Sequence, residues 1–92
     1  MKKTMKCRND VYLSGYLVKD PVLRQTKTDS AVCNYTVEVQ RPFTEDIYDY
    51  IDCVAWDKVG EEIANEYKAG YRIEVHGMIV KHTVDKLSLI HT

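Results

Sequence analysis

The residues that could do chemistry here are aromatics rather than acids, bases or nucleophiles. From Tyr48 to Trp56 the chain reads YDYIDCVAW and alternates as a strand does. Ile47, Ile51, Cys53 and Ala55 fall on one face, with Asp49 the exception; Tyr48, Tyr50, Asp52, Val54 and Trp56 fall on the other. The first set suits a core. A core would not choose the second, because Asp52 would be buried with no evident partner. A flat, partly charged aromatic face on a strand is what stacking on unpaired bases requires. Trp56, the only tryptophan, could instead be a core residue, but its parity with Tyr50 and Asp52 favours stacking. Tyr48 fits either role. Phe43 lies in a loop, 41–46, flanked by Arg41 and Glu45 without apolar periodicity. Such an aromatic either folds back onto the core or reaches a ligand, and ligand contact is the expectation.

Other chemistries find no pattern. Cys7, Cys33, Cys53, His76, His82 and His91 are metal-ligand types, but none shows the close spacing of a zinc site. Cys33 and Cys53 fall on inward positions, as small buried residues do. There is no G-x-S-x-G, no phosphate loop, and no His–carboxylate pair at telling spacing. The expectation is a protein without catalytic residues, metal or cofactor.

These aromatics need a scaffold. Ninety-two residues make one small domain with a modest core. A hydrophobic content of 45% and a charged content of 29% argue against wholesale disorder. The formal net charge is −1, so any nucleic-acid binding must come from local patches and stacking rather than from overall charge. Three cysteines with no CxxC point to reduced thiols in a cytoplasmic protein. The N-terminus lacks the apolar run of a signal peptide, and no segment could span a membrane. Residues 1–8 carry Lys2, Lys3, Lys6 and Arg8 without an acid. They form a flexible basic arm, either merely solubilising or in contact with phosphate. Residues 9–92 form the domain.

Asn9 to Lys19 reads as a first strand with Val11, Leu13 and Leu17 on one face; Gly15 in the same register allows a bend or a close backbone approach. Asp20-Pro21 ends it, and Val22 to Thr26 follows. Ala31 to Gln40 is the clearest strand, with Cys33, Tyr35, Val37 and Val39 facing inward. After the aromatic strand the period changes to about 3.6, with Val59, Ile63 and Tyr67 on one side. Asp57 is the expected N-cap and Gly70 the expected stop. Tyr71 to Thr83 is a long strand with Ile73, Val75 and Ile79 inward and a bulge or kink at Gly77. A tight turn at Asp85-Lys86 leads to a last strand reaching Thr92. Three strands, a helix and two more strands specify an all-β OB-fold, a five-stranded Greek-key barrel with one helix between strands 3 and 4.

VYLSGYLVKDPVLR, residues 11–24, resembles the opening of bacterial and phage single-stranded DNA-binding proteins; Ala31–Gln40 resembles their second strand, and DYIDCVAWDK, residues 49–58, their third. The likeness covers about residues 9 to 84. It implies binding of single-stranded DNA with little sequence preference, in replication, recombination and repair. It also implies a homo-oligomer, a tetramer or dimer, in the bacterial cytoplasm at the nucleoid. Carried over by position, the nucleic-acid-binding residues are Phe43, Tyr50 and Trp56 for stacking, with Lys58, Arg24 and Arg41 along the backbone path. Lys81 is a further candidate. Tyr12 and Tyr16, off the core face, belong to the binding surface or, preferably, to a subunit interface.

Three departures stand out. Val84 replaces a family aromatic, which leaves Tyr71 or His82 as substitutes. The last hairpin is minimal. The sequence does not include the flexible tail with its acidic tip that recruits replication and repair proteins in the family, as expected either of a short relative from a phage or mobile element or of a chain trimmed before its tail. The alternative is a primosomal-type OB-fold adaptor that bridges a replication protein to DNA; Asp46, Asp49, Asp52, Asp57, Glu61 and Glu62 could then face a basic partner, although a solvated acidic flank is the preferred reading of them.

Overall fold

The computed structural model describes residues 7–81 and 87–91, with only the backbone path described at 81 and 87–91. Six strands and one helix follow in order: β1 (Val11–Leu17), β2 (Val22–Gln25), β3 (Ala31–Gln40), β4 (Tyr48–Trp56), α1 (Asp57–Glu66), β5 (Arg72–Lys81) and β6 (Leu87–His91). They form one sheet in the order β1-β5-β6-β4-β3-β2, antiparallel except for the parallel β4–β6 pair. A short β1–β3 pairing, Tyr16 with Glu38 and Leu17 with Val37, brings the sheet back on itself. The result is the expected five-stranded Greek-key arrangement, left partly open because that seam is so short. The addition is β2, an exposed strand paired along the outer edge of β3. Its lack of a buried face is why periodicity did not announce it as a strand.

The inward residues of β3 and β4 are the centre of the core. Cys33, Val37 and Ala55 are fully buried, and Tyr35, Cys53, Ile73, Val75, Leu17 and Ile63 join them. Helix α1 lies against this cluster through Ile63, with Val59, Ala64 and Tyr67 packed at its margin. Gly60 lets it come close: a Cβ there would stand 2.7 Å from the Ala55 carbonyl oxygen and 3.2 Å from the Cys33 Cβ.

Burial also sets the state of the thiols. It raises the Cys33 thiol pKa and pushes that of Cys53 up to about 12, while the buried Tyr35 hydroxyl bonds to Cys53. Cys7 is exposed. A maleimide at pH 8 should therefore label Cys7 in the native protein and reach Cys33 and Cys53 only after denaturation. Rapid labelling of all three in the native state would contradict this packing.

Several local expectations are corrected. Asp57 does not cap α1: Trp56 holds the N-cap position with no side-chain bond. Asp57 itself has φ +52°, and its Oδ1 accepts instead from the Ala31 N–H at 3.3 Å. That contact ties the start of the helix to the start of β3. Gly70 does not stop the helix, which ends at Glu66. It serves the following turn, with φ +87° and its N–H bonded to the Leu17 carbonyl. Gly77 is no bulge. The β5 register passes through it without a skip, paired to Val11 on one side and His91 on the other.

Beyond Gly77, β5 has lost β1 as a partner and continues with β6 only. Ile79 is consequently 44% exposed rather than inward, since no third layer covers it. The Asn9 side chain stands in for the missing strand, donating to the Ile79 carbonyl at 2.7 Å and accepting from its N–H at 3.0 Å. Ile47 is also half-exposed, at the mouth of the β3–β4 loop. The residue 1–8 arm lies outside the described residues except for Cys7 and Arg8, and Arg8 is exposed beside Asp10 at 3.7 Å. His82, Val84, the Asp85-Lys86 turn and Thr92 lie outside them too.

Candidate nucleic-acid interface

The outer face of β4 carries Tyr48, Tyr50, Asp52, Val54 and Trp56, the face opposite the buried Cys53 and Ala55. Tyr48, Tyr50 and Trp56 are 47, 62 and 44% exposed, so each keeps a ring surface in solvent. From Tyr50 to Trp56 the strand runs about 20 Å at ~3.3 Å per residue. Asp52 between them accepts from the Thr36 hydroxyl at 2.9 Å. Its charge is thus tied to the neighbouring strand rather than buried, which is why this face could not be the core.

Register then places the other candidates. Trp56 pairs with Val32, and Val32 with Arg24 on β2. Partners in a pleated sheet share a face, so Arg24 and Trp56 flank Val32 on one row, about 10 Å apart. Lys58 is exposed in the first turn of α1, two residues beyond Trp56. Trp56, Arg24 and Lys58 therefore gather at one end of the face. Neither Arg24 nor Lys58 takes part in an ion pair among the described residues.

Tyr50 pairs with Glu38, and Glu38 with Tyr16 on β1. Tyr16, 51% exposed, thus continues the row that contains Tyr50. Its parity within β1 could not reveal this, because only the β1–β3 seam brings it there. Tyr48 had a local signal, its alternation with Tyr50. Tyr12 lies four residues along β1, stacked on His76 with centroids 4.1 Å apart and planes within 4°. Tyr71, just before β5, is 49% exposed and packs edge-on against Tyr67.

Phe43 stands apart from Trp56, past the other end of β4 in the β3–β4 loop. It is 106% exposed with φ +65°. Arg41 at the base of that loop does not project freely. Its Nη2 lies 2.9 Å from Asp49 Oδ1 and its Nε 3.2 Å from Oδ2, a two-toothed contact. The guanidinium bonded to Asp49 holds that carboxyl below its ordinary pKa, and Asp49 in turn raises Arg41. This explains the one charged residue on the otherwise apolar face of β4: Asp49 lies at the sheet margin and pairs across it.

No group of three or more His, Cys, Asp or Glu able to hold a metal ion occurs among the described residues. No described helix is long and apolar enough to cross a membrane.

The family model described as "Single-strand binding protein family" matches residues 8–88. A single-stranded DNA-binding protein of Halalkalibacterium halodurans is 42% identical over 81 residues, 84% of this chain and 48% of that protein. Single-stranded DNA-binding protein A of Bacillus subtilis is 41% identical over 75 residues, 77% of this chain and 44% of that protein. The chain thus spans about half the length of the curated relatives it matches. Among solved structures, the SSB domain of a Synechococcus protein superposes with TM-score 0.80 at 17% identity, over 96% of this chain and 94% of that one. The wild-type single-stranded DNA-binding protein of Thermus aquaticus gives 0.79 at 25% identity, over 91% of this chain and 37% of that one.

Proposed function

The chain belongs to the single-strand binding protein family, and from that premise we propose that it binds single-stranded DNA with little sequence preference. The observation that carries the proposal is the row of exposed aromatics on β4, Tyr50 and Trp56, opposite the buried Cys53 and Ala55 of the same strand. Every base has a π face, so rings presented this way hold bases without reading them. We assign the stacking contacts to Phe43, Tyr50 and Trp56, with Tyr48 and Tyr16 extending the surface. Arg24 and Lys58 supply backbone charge at the Trp56 end.

The role follows from the ligand: protection of unpaired DNA in replication, recombination and repair, without catalysis or cofactor, in the bacterial cytoplasm at the nucleoid. A homo-oligomer, dimer or tetramer, would let several subunits engage one strand and raise a modest affinity per subunit. The exposed Tyr12–His76 stack supports the β1–β5 face as its interface. The adaptor alternative is not favoured, because the relatives are named for single-stranded DNA binding.

Trp56 reports on this directly. Titration with a long oligothymidylate should quench its fluorescence, and a duplex of equal length should not. If Arg24 and Lys58 are the phosphate contacts of a subunit, log K should fall with log salt at a slope of about −1.4 per subunit, from ~0.7 per contact on single strands. No quenching by the single strand, with no binding detected by a second method, would refute the proposal.

A further inference from the structure

The β3–β4 loop is built around an unfavourable residue. The Arg41 carbonyl accepts from the Thr44 N–H at 3.2 Å. Pro42 is the second residue of that turn and Phe43, at φ +65°, the third. This is the pattern of a type II turn, with proline where its ring presets φ and a positive φ at the next position. Glycine or asparagine is wanted there; a bulky aromatic is a genuine outlier. A strained residue persists only where its surroundings over-determine it, and such residues cluster at functional sites.

The surroundings do over-determine this one, and most of the bonds run through Arg41. Its carbonyl also accepts from the Thr44 hydroxyl at 2.6 Å, and its N–H donates to the Ile47 carbonyl at 2.8 Å. The Gln40 side chain donates to the Thr44 carbonyl at 2.6 Å. The Arg41 guanidinium then forks onto both oxygens of Asp49, across the base of the hairpin. What all this bonding achieves is a Phe43 side chain that stands fully in solvent.

We propose that Arg41 is a positioning residue: its fork with Asp49 fixes the turn that holds Phe43 outward, so that it acts on single-stranded DNA through Phe43 rather than through a phosphate. The proposal rests on the DNA-binding reading above and assigns to Asp49 a share in binding that its charge alone would forbid.

Asp49→Ala decides the matter, because the two roles predict opposite signs. If Arg41 contacts phosphate, removing its carboxylate partner frees a cation and deletes a repulsive charge, so affinity for oligothymidylate rises. If the fork positions Phe43, affinity falls, by about 3- to 10-fold, as part of one base-stacking contact is lost. Arg41→Gln should fall similarly with an unchanged salt slope, whereas loss of a phosphate contact lowers the slope by about 0.7. In a Phe43→Ala background both substitutions should change affinity by less than about 2-fold, because the group they position is gone. Both residues are half-exposed, so thermal melting of each variant should stay near that of the parent. Higher affinity in Asp49→Ala, a reduced slope in Arg41→Gln, or full effects persisting without Phe43 would each overturn the proposal. Failure of the parent protein to bind oligothymidylate would instead overturn the DNA-binding reading itself.

Discussion

Trp56→Ala should weaken binding of a long oligothymidylate by about 5- to 150-fold, the equivalent of roughly 1–3 kcal/mol for one base–aromatic stack. Trp56 should give the largest loss of any single side chain on this face. Indole offers the widest ring, and register puts Arg24 on the same row and Lys58 just beyond. The fold should survive. Trp56 is 44% exposed and belongs neither to the buried cluster nor to the residues packed against it. At the N-cap of α1 it makes no side-chain capping bond, so alanine removes no cap. Fluorescence anisotropy of labelled oligothymidylate, run beside far-ultraviolet circular dichroism, separates the two effects. Affinity within about 2-fold of the parent protein, with native dichroism, would remove Trp56 from the site.

The second large effect concerns stability. Gly15 pairs with Ile73 in β1, next to the Tyr16–Glu38 and Leu17–Val37 seam. A Cβ at Gly15 would press into the Glu38 carbonyl oxygen and come within 2.9 Å of Val37 Cγ1. The obstacle is backbone, which cannot rotate away as a flexible side chain can. Gly15→Ala should therefore destabilise the domain by about 3 kcal/mol, at the upper end of ordinary overpacking costs. For a domain of this size that corresponds to a melting temperature lower by roughly 12–24 °C. Because Tyr16 and Tyr50 flank Glu38, the same variant should also loosen the row they share. A melting point within about 2 °C of the parent would show that the seam can open without cost. That would contradict the close approach of β1 to β3.

How far these features were legible before the structure depends on whether they are local. Alternation identified β3 and β4 and divided their faces correctly: Cys33, Tyr35, Val37, Cys53 and Ala55 inward, Tyr50 and Trp56 outward. The change of period located α1, and Gly15 suggested a close approach from its register alone. The failures share one cause. Asp57 was the natural cap from its position beside the helix, but its carboxylate was drawn to Ala31, 26 residues earlier in the chain. Ile79 kept the inward parity of Ile73 and Val75, but β5 outruns its β1 partner at Gly77 and leaves no core for it to face.

The site shows the same division. That Trp56 and Tyr50 lie on one face follows from a two-residue repeat, a property of the extended backbone itself. That Arg24 shares a row with Trp56, and Tyr16 with Tyr50, follows from pairings between strands distant in sequence, for which no local pattern codes. Arg41 shows the limit most clearly. Its type and position matched a backbone contact, and only the folded hairpin brings Asp49 to both ends of its guanidinium. Which side chains each strand turns outward is written in the local chain, because side-chain alternation is a steric consequence of the extended backbone. Which of them meet depends on strand register and charge pairing, and these are set by the packing of the whole sheet.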